Sequence, residues 1–205
     1  MTVDAAAATE GAERQVWLVR HGETEWARLL RHTGRTDIPL TDLGREQALV
    51  LGQRLRRHPF ALVLTSPLSR AADTARIAGF GERALADPDL MEWDYGALEG
   101  RLTADIRADY PDWSIWHGPW PGGETAEEVA TRADRVIARC LAPTVDGDAL
   151  LIAHGHLLRV LAARWLRLPP ASGSMFALAT ATVSVLGWDR ETPVIECWNE
   201  ACPAG

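Results

Sequence analysis

The chain has 205 residues and a formal charge of -7. That length suits a single domain with a sizeable core, and the acidic balance argues against nucleic acid or an anionic membrane as the main partner. It leaves open a small phosphorylated partner, which a few local arginines can hold. No apolar run approaches the length of a membrane span. The three cysteines, Cys140, Cys197 and Cys202, form no CxxC pair and no zinc spacing, so free thiols in a reducing compartment are expected. Residues 1–14 have no basic start followed by an apolar block. They read as a disordered leader of a cytoplasmic protein, before a domain at 15–199 and a tail at 200–205.

Strand and helix signals alternate along the chain. Gln15 to Val19 is a short apolar run, hence a buried strand, and it leads into Arg20, His21 and Gly22. Thr41 is placed to cap a helix carrying Leu43, Leu51 and Leu55 at helical spacing, with Arg56 and Arg57 at its end. A second strand spans Ala61 to Ser66. Pro67 marks the start of the next helix and Gly79 its end. Residues 84–123 are irregular apart from a short helix from Thr103 to about Tyr110. They hold Trp93, Tyr95, Trp113, Trp116 and Trp120, too many aromatics for a disordered segment. These tryptophans could pack in the core or form a lid over a charged pocket. Thr125 and Glu128 have the spacing of a capping box for a helix to about Leu141. Ala149 to His154 reads as a third strand, followed by a helix that Pro169-Pro170 stops. Two further strands, ATVSVLGW and PVIECW, fit a hairpin at a sheet edge. This is an α/β pattern: a single-domain three-layer sandwich, its mainly parallel sheet flanked by helices on both faces.

In such sheets, ligands bind beyond the carboxyl ends of the strands. There the sequence places Arg20-His21-Gly22, Ser66-Pro67 leading to Arg70, and His154-Gly155-His156. If the three strands are adjacent, two guanidiniums and two imidazoles face one anion. Arginine suits a phosphate because its planar fork pairs two oxygens and its charge is permanent. A neutral imidazole can then attack phosphorus, and no metal or other cofactor is needed.

LVRHGETEW at 18–26, TSPLSRAADTA at 65–75 and AHGH at 153–156 resemble the histidine phosphatase superfamily, also called phosphoglycerate mutase-like. The likeness runs from about Gln15 to Trp198. EWDYGALEG and DWSIWHGPWPGGET are similar to the acid phosphatase and sugar-bisphosphatase branch. The resemblance implies metal-independent hydrolysis of small phosphorylated metabolites, such as sugar phosphates, through a phosphohistidine. It makes His21 the nucleophile, with Arg20 and Arg70 on the phosphate and His154 completing the pocket. Glu92, in the stretch Leu90 to Gly96, takes the place of the family's proton donor. Thr33, Gly34 and Gly155 join the phosphate-binding set, Thr33 by its hydroxyl and Gly34 by a backbone N–H. Many members have Asn six residues after the nucleophile, where this chain has Ala27.

Other readings stand beside these. His156 sits where a helix begins and reads as a cap or an exposed side chain. His32, His58 and His117 read as non-catalytic, with His32 and His117 candidates for the pocket mouth. A metal site on His21, His154 and His156 lacks a carboxylate and the usual ligand spacing. A phosphoglycerate mutase needs basic residues for the substrate carboxylate, and between Gly100 and Gly122 there are only Arg101, Arg107 and His117. A non-catalytic interaction protein is disfavoured by the intact histidine and arginine set. The oligomeric state stays open, a homodimer included.

Overall fold

In the computed structural model, which describes residues 14–202, strand β4 (Asp148–Ala153) runs through the middle of the molecule. It is apolar on both faces because both are covered. Ala149, Leu151 and Ala153 join one core cluster, while Leu150 and Ile152 join the other. Around it lie β1 (Val16–Arg20), α1 (Glu25–Arg28), α2 (Asp42–Leu55), β2 (Phe60–Thr65), α3 (Ser69–Ile77), β3 (Leu85–Ala86), α4 (Thr103–Asp109), α5 (Ala126–Cys140), α6 (Gly155–Trp165), β5 (Thr182–Asp189) and β6 (Thr192–Ala201). The sheet order is β3-β2-β4-β1-β5-β6. The first four strands are parallel, and β5 and β6 add an antiparallel hairpin at one edge. One core contains the inner faces of α5 and α6, the other those of α2 and α3. The three-layer sandwich is therefore the one that the sequence pattern predicts.

The local signals explain most boundaries. Thr41 accepts from the Gly44 N–H at 3.0 Å and caps α2. Thr125 and Glu128 form the reciprocal capping box of α5. Gly79, at φ +92°, ends α3, with its own N–H on Arg76 and the Phe80 N–H on Ala75, the paired bonds of a glycine-terminated helix. Helix α3 starts at Ser69, two residues beyond Pro67. The single turn α1 and the two-residue β3 carry no sequence signal strong enough to predict them. Residues 1–13 of the expected leader and 203–205 of the expected tail lie outside the described residues. Glu200 and Ala201, which the sequence reading puts in the tail, belong to β6.

The Trp-rich excursion is core. Trp93, Trp113 and Trp116 are buried, and the indole N–H groups of Trp93, Trp113 and Trp120 donate to the carbonyls of Glu124, Pro119 and Ile115 at 2.8, 2.9 and 2.7 Å. His58 packs on Trp17 and meets Asp148 at 2.6 Å. Because β4 is packed from both sides, truncating it leaves a void that the helices cannot close. Leu151→Ala is expected to cost about 2–5 kcal/mol, read from urea unfolding midpoints; a loss under about 1 kcal/mol would show that this core collapses freely.

Candidate active site

The sheet order brings the expected residues together. β4 separates β1 from β2, and in register Arg20 lies beside Ala153 and Thr65 beside Ile152. The chain then leaves all three strands at one level. The His21 N–H donates to Ala153 and the Ser66 N–H to Ile152, both at 3.0 Å. Gly22 lets the chain turn here: a Cβ would collide with the Gly44 carbonyl, and its N–H is held by the Thr74 hydroxyl at 3.1 Å.

His21 is buried, and its Nδ1–H donates to the Gly22 carbonyl at 2.7 Å. That bond leaves the lone pair on Nε2. Burial, then the charges of Arg70 and Arg20, push its pKa well below the ordinary histidine value, so the ring is neutral and nucleophilic at pH 7. His154 has no exposed surface. Its Nδ1 accepts from Arg70 Nε at 3.2 Å, which places its proton on Nε2, 2.7 Å from the Ser66 hydroxyl. Burial and Arg70 hold its pKa down as well. The two imidazoles meet edge to face, centroids 5.1 Å apart.

The two arginines differ. Arg20 Nη1 donates to the Leu178 carbonyl at 2.5 Å, while its Nε is buried with no partner. A buried donor left unpaired is costly, and this one belongs to a side chain on the cavity wall. Gly155 keeps that space open, since a Cβ there would come within 3.3 Å of Arg20 Nε. Arg70 is fully buried behind His21. Its Nη1 donates to Thr36 at 3.0 Å and its Nη2 to Gly34 at 2.8 Å, both backbone carbonyls. Gly34 therefore meets Arg70 through its carbonyl and does not line the cavity, whereas Thr33 does.

Glu92 is held by three backbone donors. Oε1 accepts from Trp93 and Leu157, both at 2.9 Å, and Oε2 from His156 at 3.0 Å. Two of the three are at the start of α6. Oε2 keeps one lone-pair position beyond this bond.

A cavity of about 340 Å³ opens over this floor. Tyr95, His156, Arg159 and Arg31 also line it, and the sequence reading assigned none of them a role there. His156 is not the exposed side chain or cap expected: Tyr95 contacts its Nδ1 at 2.5 Å and it packs on Trp116. Arg159 follows it by three residues, on the same helix face. His32 borders the cavity, but His117 is exposed and does not. Ala27 contributes an apolar stretch of the wall. Among the described residues, no three His, Cys, Asp or Glu side chains are grouped as a metal ion requires.

Four histidines at this site have depressed pKa values: His21, His154, His156, and His32, which burial lowers to about 4. In the unfolded chain each takes up a proton below about pH 6.5. The unfolded state then binds more protons, so stability present above about 6.5 is lost as pH falls toward 4. His32 alone accounts for about 3 kcal/mol by pH 4. Urea midpoints measured from pH 7.5 to 4 should fall through this window; a flat profile would mean that the site does not hold its imidazoles neutral.

Residues 16–201 match the family model of the histidine phosphatase superfamily, branch 1. The chain is 42% identical to an acid phosphatase of Mycobacterium tuberculosis over 175 residues, which cover 84% of this chain and 86% of the relative. It is 34% identical to sedoheptulose 1,7-bisphosphatase of Saccharomyces cerevisiae, covering 72% and 66%. It is 31% identical to a protein of Yersinia enterocolitica named a probable phosphoglycerate mutase, covering 90% and 89%. A solved structure of a Mycobacterium tuberculosis open reading frame superposes with a TM-score of 0.88 at 38% identity, covering 93% of this chain and 99% of that one. On these matches and this geometry, the chain belongs to the histidine phosphatase superfamily.

Proposed function

We propose that this histidine phosphatase hydrolyses phosphate monoesters of small metabolites, sugar phosphates among them, by way of a phosphohistidine at His21. The observation that carries this reading is a neutral His21 whose Nε2 is unshared, on the same cavity wall as the unpartnered Nε of Arg20. Arg20 offers Nε and Nη2 as a fork for two phosphate oxygens. Arg70, whose Nη1 and Nη2 already donate to the Thr36 and Gly34 carbonyls, contributes its charge beside the two imidazoles, and His154 is fixed between Arg70 and Ser66. As the Nε2–P bond forms, the ester P–O bond breaks, and Glu92 passes a proton from Oε2 to the leaving oxygen. Water then attacks phosphorus, the Nε2–P bond breaks, and Glu92 takes the water's proton. Phosphate leaves and the first state returns. All the charge this scheme needs is supplied by side chains, and the cytoplasm is the compartment proposed, in keeping with three free cysteines.

One observation favours a second reading, a phosphoglycerate mutase. Arg101 and Arg107 are held by Asp109 and by the Trp113 carbonyl, but Arg31 and Arg159, from outside the 100–122 segment, border the cavity. Both already donate to carbonyls, Arg31 to Gly100 and Arg159 to Gly173, which weakens them as a carboxylate clamp. Interconversion of phosphoglycerates well above the rate of hydrolysis would establish this second reading.

Brief reaction with a labelled ester and an alkaline quench should leave acid-labile phosphate on His21, and His21→Ala should abolish it. EDTA should leave the rate unchanged. Label on Ser66, or a rate that EDTA removes and a divalent ion restores, would contradict the proposal. Glu92→Gln should slow alkyl phosphates by about a hundredfold or more, with a much smaller effect on single-turnover release of nitrophenolate, which leaves without a proton. Equal losses for both would take the acid role from Glu92.

A further inference from the structure

The proposed mechanism leaves His156 unused, although its backbone N–H holds the oxygen of Glu92 that would carry the proton. The ring is fixed on several sides. Tyr95, itself buried, meets Nδ1 at 2.5 Å. Tyr95 and Trp116 present their rings edge-on, with centroids 5.9 and 5.4 Å away. Arg159 covers Trp116 with its guanidinium 4.6 Å from the ring centroid.

Of the two partners in the Tyr95–His156 contact, a phenol is the stronger donor and an imidazole nitrogen the stronger acceptor. The phenol therefore donates to Nδ1, and the proton of the neutral imidazole sits on Nε2. Burial and the charge of Arg159 keep the ring neutral, and burial beside Glu92 keeps the phenol protonated. Nε2 has no hydrogen-bond partner among the described residues, and the ring lines the cavity. The result is an oriented, uncharged donor adjoining the proposed acid, beside Tyr95, His32, Leu30 and Leu178 on the wall, where the two further cations, Arg31 and Arg159, already donate to the Gly100 and Gly173 carbonyls. A neutral donor among aromatic and aliphatic faces suits the hydroxyl oxygens and C–H faces of a polyhydroxylated alcohol.

We infer that His156, held by Tyr95 with its proton on Nε2, donates to a hydroxyl of the leaving group. The enzyme then prefers phosphate esters of polyhydroxylated alcohols over those of plain alcohols. This rests on the hydrolytic reading and narrows its substrate class.

The test uses matched pairs: glycerol 3-phosphate against propyl phosphate, and glucose 6-phosphate against cyclohexylmethyl phosphate. The wild-type protein is expected to favour the hydroxylated member of at least one pair by about tenfold or more in kcat/KM. His156→Leu should bring that ratio close to one, and His156→Gln, which keeps an N–H donor, should restore part of it. Tyr95→Phe leaves the ring in place but frees its tautomer, and should give an intermediate ratio. A wild-type ratio near one in both pairs overturns the inference. So does a His156→Leu or Tyr95→Phe variant that slows both members of a pair equally, the mark of a merely structural role. Labelling of His21 is followed separately. If no ester phosphorylates it, the hydrolytic reading fails and the inference with it; if His21 is labelled but the ratios do not move, only the inference fails.

Discussion

Arg70 is a cation with no exposed surface, and its nearest carboxylate, Asp37, is 4.0 Å away. A buried charge is tolerated only when its donors are satisfied. Here the carbonyls of Thr33, Gly34 and Thr36 and the Nδ1 of His154 take four of its five N–H groups. Much else follows from this arrangement. The segment 33–36 must fold back to present its carbonyls, which places Thr33 on the cavity wall. His154 must show a lone pair to Arg70, which fixes its tautomer. Burial, with the permanent charge of Arg70 beside them, keeps both imidazoles neutral.

The topology delivers these groups to one place. Because β4 lies between β1 and β2, three strand ends carry His21, Ser66 and His154 to one level, and the first turn of α6 rises beside them. That turn serves twice. Its backbone N–H groups fix Glu92, and its side chains at 156 and 159 face the cavity. The site thus has a cationic floor for phosphate and a mixed wall for whatever the phosphate is attached to, with His32, Tyr95 and His156 beside Leu30, Leu178, Arg31 and Arg159.

This division also explains what was legible in the sequence. The floor is written in short local strings: RHG after an apolar run, SPLSR after a second, AHGH after a third. Strand burial and period placed each string correctly to within a residue. Glu92 was readable only through its family motif, because what holds it is backbone from α6, more than sixty residues on. His156 looked like a cap because its seat is made by Tyr95 and Trp116, which no spacing connects to it. Arg31 and Arg159 lie outside residues 100–122, and only the fold brings them to the cavity. Spacing alone does not tell lid from core for the tryptophans, because the carbonyls that take their indole N–H groups lie in irregular backbone. The bond from Arg70 to the Gly34 carbonyl joins residues 36 apart, so no local spacing announces it.

The account depends on His21 being neutral with its lone pair on Nε2. The most direct measurement is a pH titration of the protein carrying 15N-labelled histidine, followed by NMR, with His21→Gln to assign the signals. The expected result is a His21 ring that keeps a protonated Nδ1 and a bare Nε2 from pH 7.5 down past the ordinary histidine pKa of about 6.5. A His21 that titrates at or above that value, or that carries its neutral proton on Nε2, would contradict it.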